Sequence, residues 1–306
     1  MATNIVNKYV WLVDTIYKAG KISFEEINRR WVENDMSNGV EIPKRTFHKW
    51  RIAIEDLFGL IIENENCGAY RYYIYNEEEV RQKGIRSWLL DTIGTSNLLA
   101  NSISIKDRII IEHVSSDNLY LETIINAIKT NHVVHFTYHN YWYDEYHDHN
   151  VQPYCLKMFR RRWYLVGRSL SVDKLLVYSL DRMKRIEKTD QTFVFPQDFS
   201  AEDFFKDCFG VIVGDSDNQQ PVHIIIKVGV HQANYIRALP FKEGHQTEVE
   251  RNDEYSIFDL YLRPTFDLEQ EILWNGEEVE VLAPKEFRER IAERIDLMGK
   301  NYGLKS

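Results

Sequence analysis

Residues 159–170 read FRRRWYLVGRSL, three consecutive arginines that run into alternating aromatic and aliphatic residues. This alternation is typical of a β-strand with one face in the core, because successive side chains point to opposite faces. It assigns the packed face to Trp163, Leu165 and Gly167, and the open face to Arg162, Tyr164, Val166 and Arg168. Because a guanidinium binds phosphate in a bidentate manner, the open face predicts a site for an anion.

Positive charge is concentrated around this stretch, although the chain is acidic overall. The 306 residues carry a formal net charge of −9, whereas residues 157–188 contain ten Lys and Arg against three Asp and Glu, a net +7. A net negative charge argues against a protein that coats nucleic acid indiscriminately. A local reversal of sign still attracts an anion to one place, because steering depends on where the charge lies.

Period-two patterns surround the arginine stretch. Between residues 132 and 195 the segments HVVHFTYH, VQPYCLKM, RWYLVGRS and KLLVYSLDRMKRIE predict several short strands, and hence a small, closed β-barrel over residues 120–198. From residue 222 onward, strand and helix patterns alternate. They predict a ferredoxin-like α/β extension within residues 199–306. The fold class predicted for the whole chain is multidomain α+β.

The first 76 residues predict three short helices and a hairpin, followed by a helical connector over residues 77–119. In the third helix, PKRTFHKWRIAIEDLF, five apolar residues share the face that must be buried: Phe47, Trp50, Ile54, Leu57 and Phe58. The opposite face is basic, as expected of a recognition helix in a winged helix-turn-helix. The DNA-binding candidates are Lys44, Arg45, Thr46, His48, Lys49 and Arg51, with Arg71 in the wing. The alternative interpretation is an ordinary solvated helix face.

The order of these parts resembles a known family. RRWYLVGRS followed by LLVYSLDRMKRIE resembles the WYL domain, whose name is the tripeptide Trp163-Tyr164-Leu165. The strands HVVHFTYHN and VQPYCLKM look like the first strands of that domain. The N-terminal IPKRTFHKWRIAIEDLFGLIIENENCGAYRYYI looks like the winged helix that precedes WYL domains in bacterial transcription factors. The tail that begins PTFDLEQEILWN resembles their C-terminal extension, so the resemblance covers nearly the whole chain.

The resemblance implies a ligand-responsive, DNA-binding transcriptional regulator that is usually a homodimer. Its WYL domain would be an Sm- or SH3-like small β-barrel that senses an oligonucleotide or nucleotide-like anion. Carried over by motif position, the ligand-binding residues are Tyr138, Tyr154, Arg162, Tyr164, Arg168 and Arg182. The rival from another class is an accessory nucleic-acid-binding or effector protein that controls no promoter.

An enzyme is the third possibility. The histidine- and aspartate-rich segment 132–149 contains metal-ligand residue types, which would suit a metal-dependent hydrolase. However, the sequence has no H-E-x-x-H, G-x-S-x-G, P-loop or G-x-G-x-x-G motif. We therefore expect neither catalysis nor a bound metal or cofactor.

Cysteine usage and hydropathy indicate the compartment. The three cysteines, Cys67, Cys155 and Cys208, are far apart and include no C-x-x-C pair, which is typical of reduced cytosolic thiols. The first twenty residues lack the apolar core of a signal peptide, and no apolar run approaches 18 residues. The expectation is a cytoplasmic protein with no membrane partner.

Overall fold

A computed structural model describes residues 2–65, 70–78, 88–90, 92–95, 120–213 and 220–303. The chain divides into two compact units, residues 1–112 and 113–306. Both mix helices with antiparallel sheets, which agrees with the predicted α+β class. Most of the predicted connector, residues 77–119, lies outside the described residues. No described helix is long and apolar enough to span a bilayer.

The first unit contains the predicted three helices and hairpin. They are α1 (Ala2–Ala19), α2 (Phe24–Val32), α3 (Lys44–Phe58), β1 (Ile62–Asn64) and β2 (Tyr72–Ile74). Ser23 caps α2, its Oγ accepting from the backbone N–H of Glu26 at 3.2 Å. Ile22 forms an isolated bridge with Tyr72, which ties the start of α2 to the hairpin.

Aromatic edge-to-face pairs fill the core of this unit. Trp31 lies 4.8 Å from Trp11 and 5.4 Å from Trp50 between ring centroids, and Phe47 lies 4.8 Å from Tyr72. The prediction for Leu57 is wrong, because its side chain is 53% exposed. Leu57 lies at the edge of the buried stripe in the last turn of α3, where the core no longer reaches it.

The second unit begins with a helix and a five-stranded sheet. Its elements are α4 (Leu121–Lys129), β3 (His132–Asn140), β4 (Glu145–Phe159), β5 (Arg162–Ser169), β6 (Lys174–Ser179) and β7 (Met183–Thr192). The strand order is β6-β5-β4-β3-β7, antiparallel throughout. The prediction of a closed barrel is not met in the described part of the chain, because no ladder joins β6 to β7 there. A 3₁₀ turn, Leu180–Arg182, connects these strands, and Ile124 and Ala127 of α4 cover the apolar face.

The outer face of β5 departs from the predicted alternation. Val166, which was assigned to the open face, is fully buried. It packs in a small cluster with Phe205 and Cys208, which follow the sheet in the chain. Phe205 ends α5 (Ala201–Phe205). The middle of β5 is therefore covered on both faces, and only its ends present exposed arginines.

The rest of the second unit is a four-stranded sheet with three helices. The elements are β8 (Val222–Gly229), α6 (Val230–Ala238), β9 (Gln246–Arg251), β10 (Tyr255–Leu262), α7 (Phe266–Trp274), β11 (Val279–Ala283) and α8 (Lys285–Asn301). The strand order is β11-β8-β10-β9, and each neighbouring pair is antiparallel. Ile226, Phe258 and Leu260 of the sheet pack against Phe287 of α8 and Leu268 of α7.

Candidate nucleic-acid interfaces

The N-terminal half of α3 presents a row of exposed cations. Lys44, Arg45, His48 and Lys49 are all exposed. Within the described residues, none of the four has a carboxylate within 4 Å, whereas many other exposed cations of the chain are paired. Cations without acidic partners are available to phosphates, because no ion pair has to be broken first.

The remaining DNA-binding candidates have structural contacts. The Arg51 guanidinium donates from Nε to the carbonyl of Ile62 at 2.8 Å and lies 5.4 Å from the ring centroid of Tyr72. Arg71 pairs with Glu65 at 3.0 Å, and Thr46 is half-buried. Arg51 therefore holds β1 and β2 against α3.

A groove separates α3 from the hairpin. Its volume is about 370 Å³, and its walls come from α2, α3 and the hairpin: Phe24, Glu25, Lys44, Phe47, His48, Arg51, Asn64, Tyr70 and Tyr72. The exposed cations of α3 and the aromatic residues of the hairpin thus border one concave surface.

In the second unit, carboxylates pair with most of the arginines of residues 159–170. Arg160 contacts Glu271 of α7, and its guanidinium lies 5.4 Å from the Phe159 ring. Arg162 lies 3.5 Å from Asp181. Arg168 donates from Nε and Nη2 to the two carboxylate oxygens of Asp173, at 2.6 and 2.9 Å. This hydrogen-bonded pair raises the pKa of Arg168 and lowers the pKa of Asp173.

The six predicted ligand residues lie in two places. Arg162 and Arg168 stand at opposite ends of β5, roughly 20 Å apart at the rise of a strand. Arg168 shares its end with the buried Tyr154, beside a cavity of about 330 Å³. Two carboxylates, Asp173 and Asp198, line that cavity together with Arg168, so the cavity has no excess of positive charge. One compact anion cannot contact all six residues.

The other four predicted residues lie at the opposite end of the sheet. The Arg182 guanidinium donates to the carbonyl of His139 at 3.0 and 2.8 Å and lies 4.6 Å from the Tyr138 ring centroid. The Tyr138 hydroxyl accepts from the backbone N–H of Ser179 at 3.2 Å. Burial raises the pKa of both Tyr138 and Tyr164. Since the described residues give Arg182 no carboxylate partner, its positive charge is not neutralised there.

Two half-buried lysines were missed at the sequence level. Lys157 donates to the carbonyl of Gly210 at 2.5 Å and lies 3.8 Å from the Phe205 ring centroid, and burial lowers its pKa to about 8. Lys242 donates to the carbonyls of Phe205 and Cys208. Both side chains hold the segment that covers β5. No sequence signal pointed to them, because their acceptors are at least 34 residues away.

The histidine-rich segment forms cross-strand pairs on β3 and β4. His139 contacts Asp144 at 2.7 Å, and Thr137 donates to Asp148 at 2.7 Å. In the described ranges, no group of three or more His, Cys, Asp and Glu is arranged to hold a metal ion. The arrangement is a polar ladder along a hairpin.

Comparison with protein families places these elements in two domains. The WYL domain family matches residues 119–188, which include α4 and β3 to β6. The chain is a WYL domain protein. A second family, the WCX domain, matches residues 220–299, from the strand β8 into the helix α8. The arginine-rich strand β5 therefore belongs to the WYL domain, and Glu271, which pairs with Arg160, belongs to the WCX domain.

Similar solved structures include two proteins of low sequence identity. Proteasome accessory factor B/C (PafBC) of Arthrobacter aurescens is 17% identical, with a TM-score of 0.36 over 97% of this chain. The chain spans 46% of the length of that protein. A CRISPR Cas-related protein is 11% identical, with a TM-score of 0.40 over 99% of this chain and 84% of that one. No curated protein sequence matches significantly.

Proposed function

We propose that this WYL domain protein is a DNA-binding transcriptional regulator that acts in the cytoplasm. The observation that carries the proposal is the row Arg45, His48 and Lys49 on α3, which is exposed, has no acidic partner among the described residues and stands beside a two-stranded hairpin. Positive charge on the first half of such a helix suits the major groove, where base edges and phosphates are both within reach.

The proposed architecture is a winged helix-turn-helix, a WYL domain built on the five-stranded sheet, and a ferredoxin-like extension. Support for the first comes from the bridge between Ile22 and Tyr72, which joins the helices to the hairpin as a wing requires. Support for the last comes from the sheet order β11-β8-β10-β9, since a β-α-β-β-α-β unit places its fourth, first, third and second strands in that order.

For the WYL domain we propose a nucleotide-like or oligonucleotide anion as the ligand. The favoured binding site contains Arg182, whose charge is uncompensated and lies beside aromatic rings. Its other residues are Tyr138, Arg162 and Tyr164. Tyr154 and Arg168 would form a second, separate binding site, at which a phosphate has to displace Asp173 from the Arg168 guanidinium. The regulator is further proposed to be a homodimer and a binding protein, not an enzyme.

The test of DNA binding reverses the charge of α3. We expect Arg45→Glu with Lys49→Glu to abolish the gel shift of a duplex selected from genomic fragments by the wild-type protein. Removing one cation that binds a phosphate should also flatten the dependence of log K on log salt by about 0.9. The control is Lys129→Glu with Lys285→Glu, two exposed lysines of the other unit, which changes the net charge equally.

Outcomes of this experiment separate the alternatives. Circular dichroism melts of both double variants should match the wild type, because the four side chains are exposed. If the α3 variant shifts duplex as well as the wild type, α3 does not bind DNA. If the wild type binds every fragment equally, the accessory nucleic-acid-binding alternative replaces the regulator.

A further inference from the structure

The end of the β3–β4 hairpin carries three consecutive exposed aromatic residues. Tyr141, Trp142 and Tyr143 are 59%, 92% and 74% exposed. The turn includes Asp144 at a positive φ of 53°, and the Trp142 N–H donates to the Asn140 side chain at 3.0 Å. Exposed apolar surface is unfavourable at about 25 cal/mol per Å². Tyr141 packs against His139, at 4.8 Å between ring centroids, whereas the Trp142 and Tyr143 side chains make no ring contact or hydrogen bond with the described residues.

The base of the aromatic hairpin, residues 139–146, is held in one geometry. His139 stacks on Tyr146 at 4.3 Å between centroids, with an interplanar angle of 12°. Lys184 lies 4.3 Å from the Tyr146 centroid and donates to its hydroxyl at 2.8 Å. Arg182 lies 4.5 Å from the Tyr141 centroid while it bonds to the carbonyl of His139. An alternating series of cations and rings thus supports the exposed tip.

We propose that the aromatic hairpin is a base-stacking site for single-stranded nucleic acid, with Trp142 and Tyr143 as the stacking surfaces. The inference rests on the proposed nucleic-acid function of the WYL domain and names a subsite of it. Bases stack on exposed tyrosine and tryptophan rings whatever their sequence, at about 1–3 kcal/mol per base. Phosphates would lie towards Arg182 and Lys184, neither of which has a carboxylate partner among the described residues.

The charges of the tip favour a single strand over a duplex. Three carboxylates lie on the same hairpin: Asp144 contacts His139, Glu145 contacts His147 at 3.2 Å, and Asp148 accepts from Thr137. They repel the two phosphate rows of a duplex, whose bases are also inaccessible to stacking. An unpaired base offers the same rings an uncharged face.

The composition of the tip argues against a protein partner or a second copy of the chain as the occupant. Residues 139–149 contain no aliphatic side chain. Tyrosine and tryptophan are common at protein interfaces, but the buried centre of such an interface is poor in charge, whereas carboxylates and imidazoles flank these three rings. Stacking needs only flat π-faces, which the tip supplies.

The experiment measures fluorescence anisotropy of labelled strands of about twelve nucleotides. Four probes are used with the full chain: an oligothymidylate, its RNA counterpart, a strand with the same phosphates but no bases, and a duplex. We expect Trp142→Ala with Tyr143→Ala to weaken single-strand binding at least tenfold and to leave duplex binding unchanged. The single variant Trp142→Ala should also lose affinity for the single strand. Trp142→Phe, which keeps an aromatic ring, should retain most of the affinity that Trp142→Ala loses. The matched control is Trp274→Ala on α7, where the tryptophan is 85% exposed against 92% for Trp142.

Each contrary result has one meaning. Equal binding of the abasic strand, or equal losses in the hairpin and Trp274 variants, would overturn stacking by the hairpin. A wild-type protein that binds duplex but neither single strand would also overturn it, and the proposed regulator would stand. A change of oligomeric state in the hairpin variant alone would assign the tip to a second copy instead. Loss of duplex binding in the α3 variant is independent of all these outcomes.

Discussion

Three of the four arginines in residues 159–170 have a carboxylate partner. The acids are Glu271 for Arg160, Asp181 for Arg162 and Asp173 for Arg168, and only Arg161 has none among the described residues. Asp173 and Asp181 are already counted in the local charge of +7, so of these three acids only Glu271 lowers it, from +7 to +6. Arg182 donates to a backbone carbonyl and lies over two tyrosine rings. Since it has no carboxylate partner among the described residues, its positive charge is available to an anionic ligand.

At the residue scale, we predict that Arg182→Ala removes stabilisation by an anionic ligand and that Arg168→Ala does not. Arg168 is already hydrogen-bonded to both oxygens of Asp173, at the other end of β5. The measurement is the change in melting temperature on adding cyclic nucleotides or short single strands. It is made on the wild type and on each of the two variants. Arg182→Lys is the control, because it keeps the charge and removes the planar guanidinium.

The outcome of that measurement is clear in either direction. If Arg168→Ala abolishes the shift while Arg182→Ala keeps it, the ligand binds beside Tyr154. If no anion raises the melting temperature of the wild type, the WYL domain has no such ligand.

At the scale of elements, the β4–β5 connection has an unusual composition. Arg160 and Arg161 have φ of 48° and 64°, the left-handed values that a two-residue type I′ turn requires. Such turns favour asparagine and glycine, because a left-handed conformation costs an L-residue roughly 1–2 kcal/mol. Arg160 is held by Glu271 and by the Phe159 and Phe209 rings, which offsets its cost.

For this turn we predict that Arg161→Gly raises the free energy of unfolding by up to about 1 kcal/mol. Arg161 has no partner among the described residues, so glycine relieves the backbone and removes no contact. Arg161→Val, a β-branched residue in the same conformation, should lower the stability. Urea unfolding followed by circular dichroism compares the three proteins. A glycine variant less stable than the wild type would show that the Arg161 side chain makes a stabilising contact.

At the scale of the whole molecule, a single recognition helix of the length of α3 can contact only a few base pairs. A two-fold dimer doubles the interface and matches a palindromic site, which is how helix-turn-helix proteins gain specificity. We therefore predict that light scattering gives twice the chain mass of 36.4 kDa at micromolar concentration. A mass of 36.4 kDa across that range, with DNA bound by single chains, would contradict the prediction.

The sequence by itself determined the α+β class and the type of those described elements that have a clear period. The helical stripe of Phe47, Trp50, Ile54 and Phe58 and the alternation along β5 are local patterns, so spacing along the chain was enough to predict helix and strand. The tripeptide Trp163-Tyr164-Leu165 also pointed to the WYL domain, which the family comparison confirms.

Only the tertiary structure decided which groups meet. Glu271 lies 111 residues from Arg160, and the cover over Val166 comes from Phe205 and Cys208 in the following segment. Periodicity along one strand predicts the direction of a side chain but not what packs against it. The burial of Val166 and the exposure of Leu57 depend on such long-range contacts, whereas the separation of Arg162 from Arg168 follows from their spacing along β5.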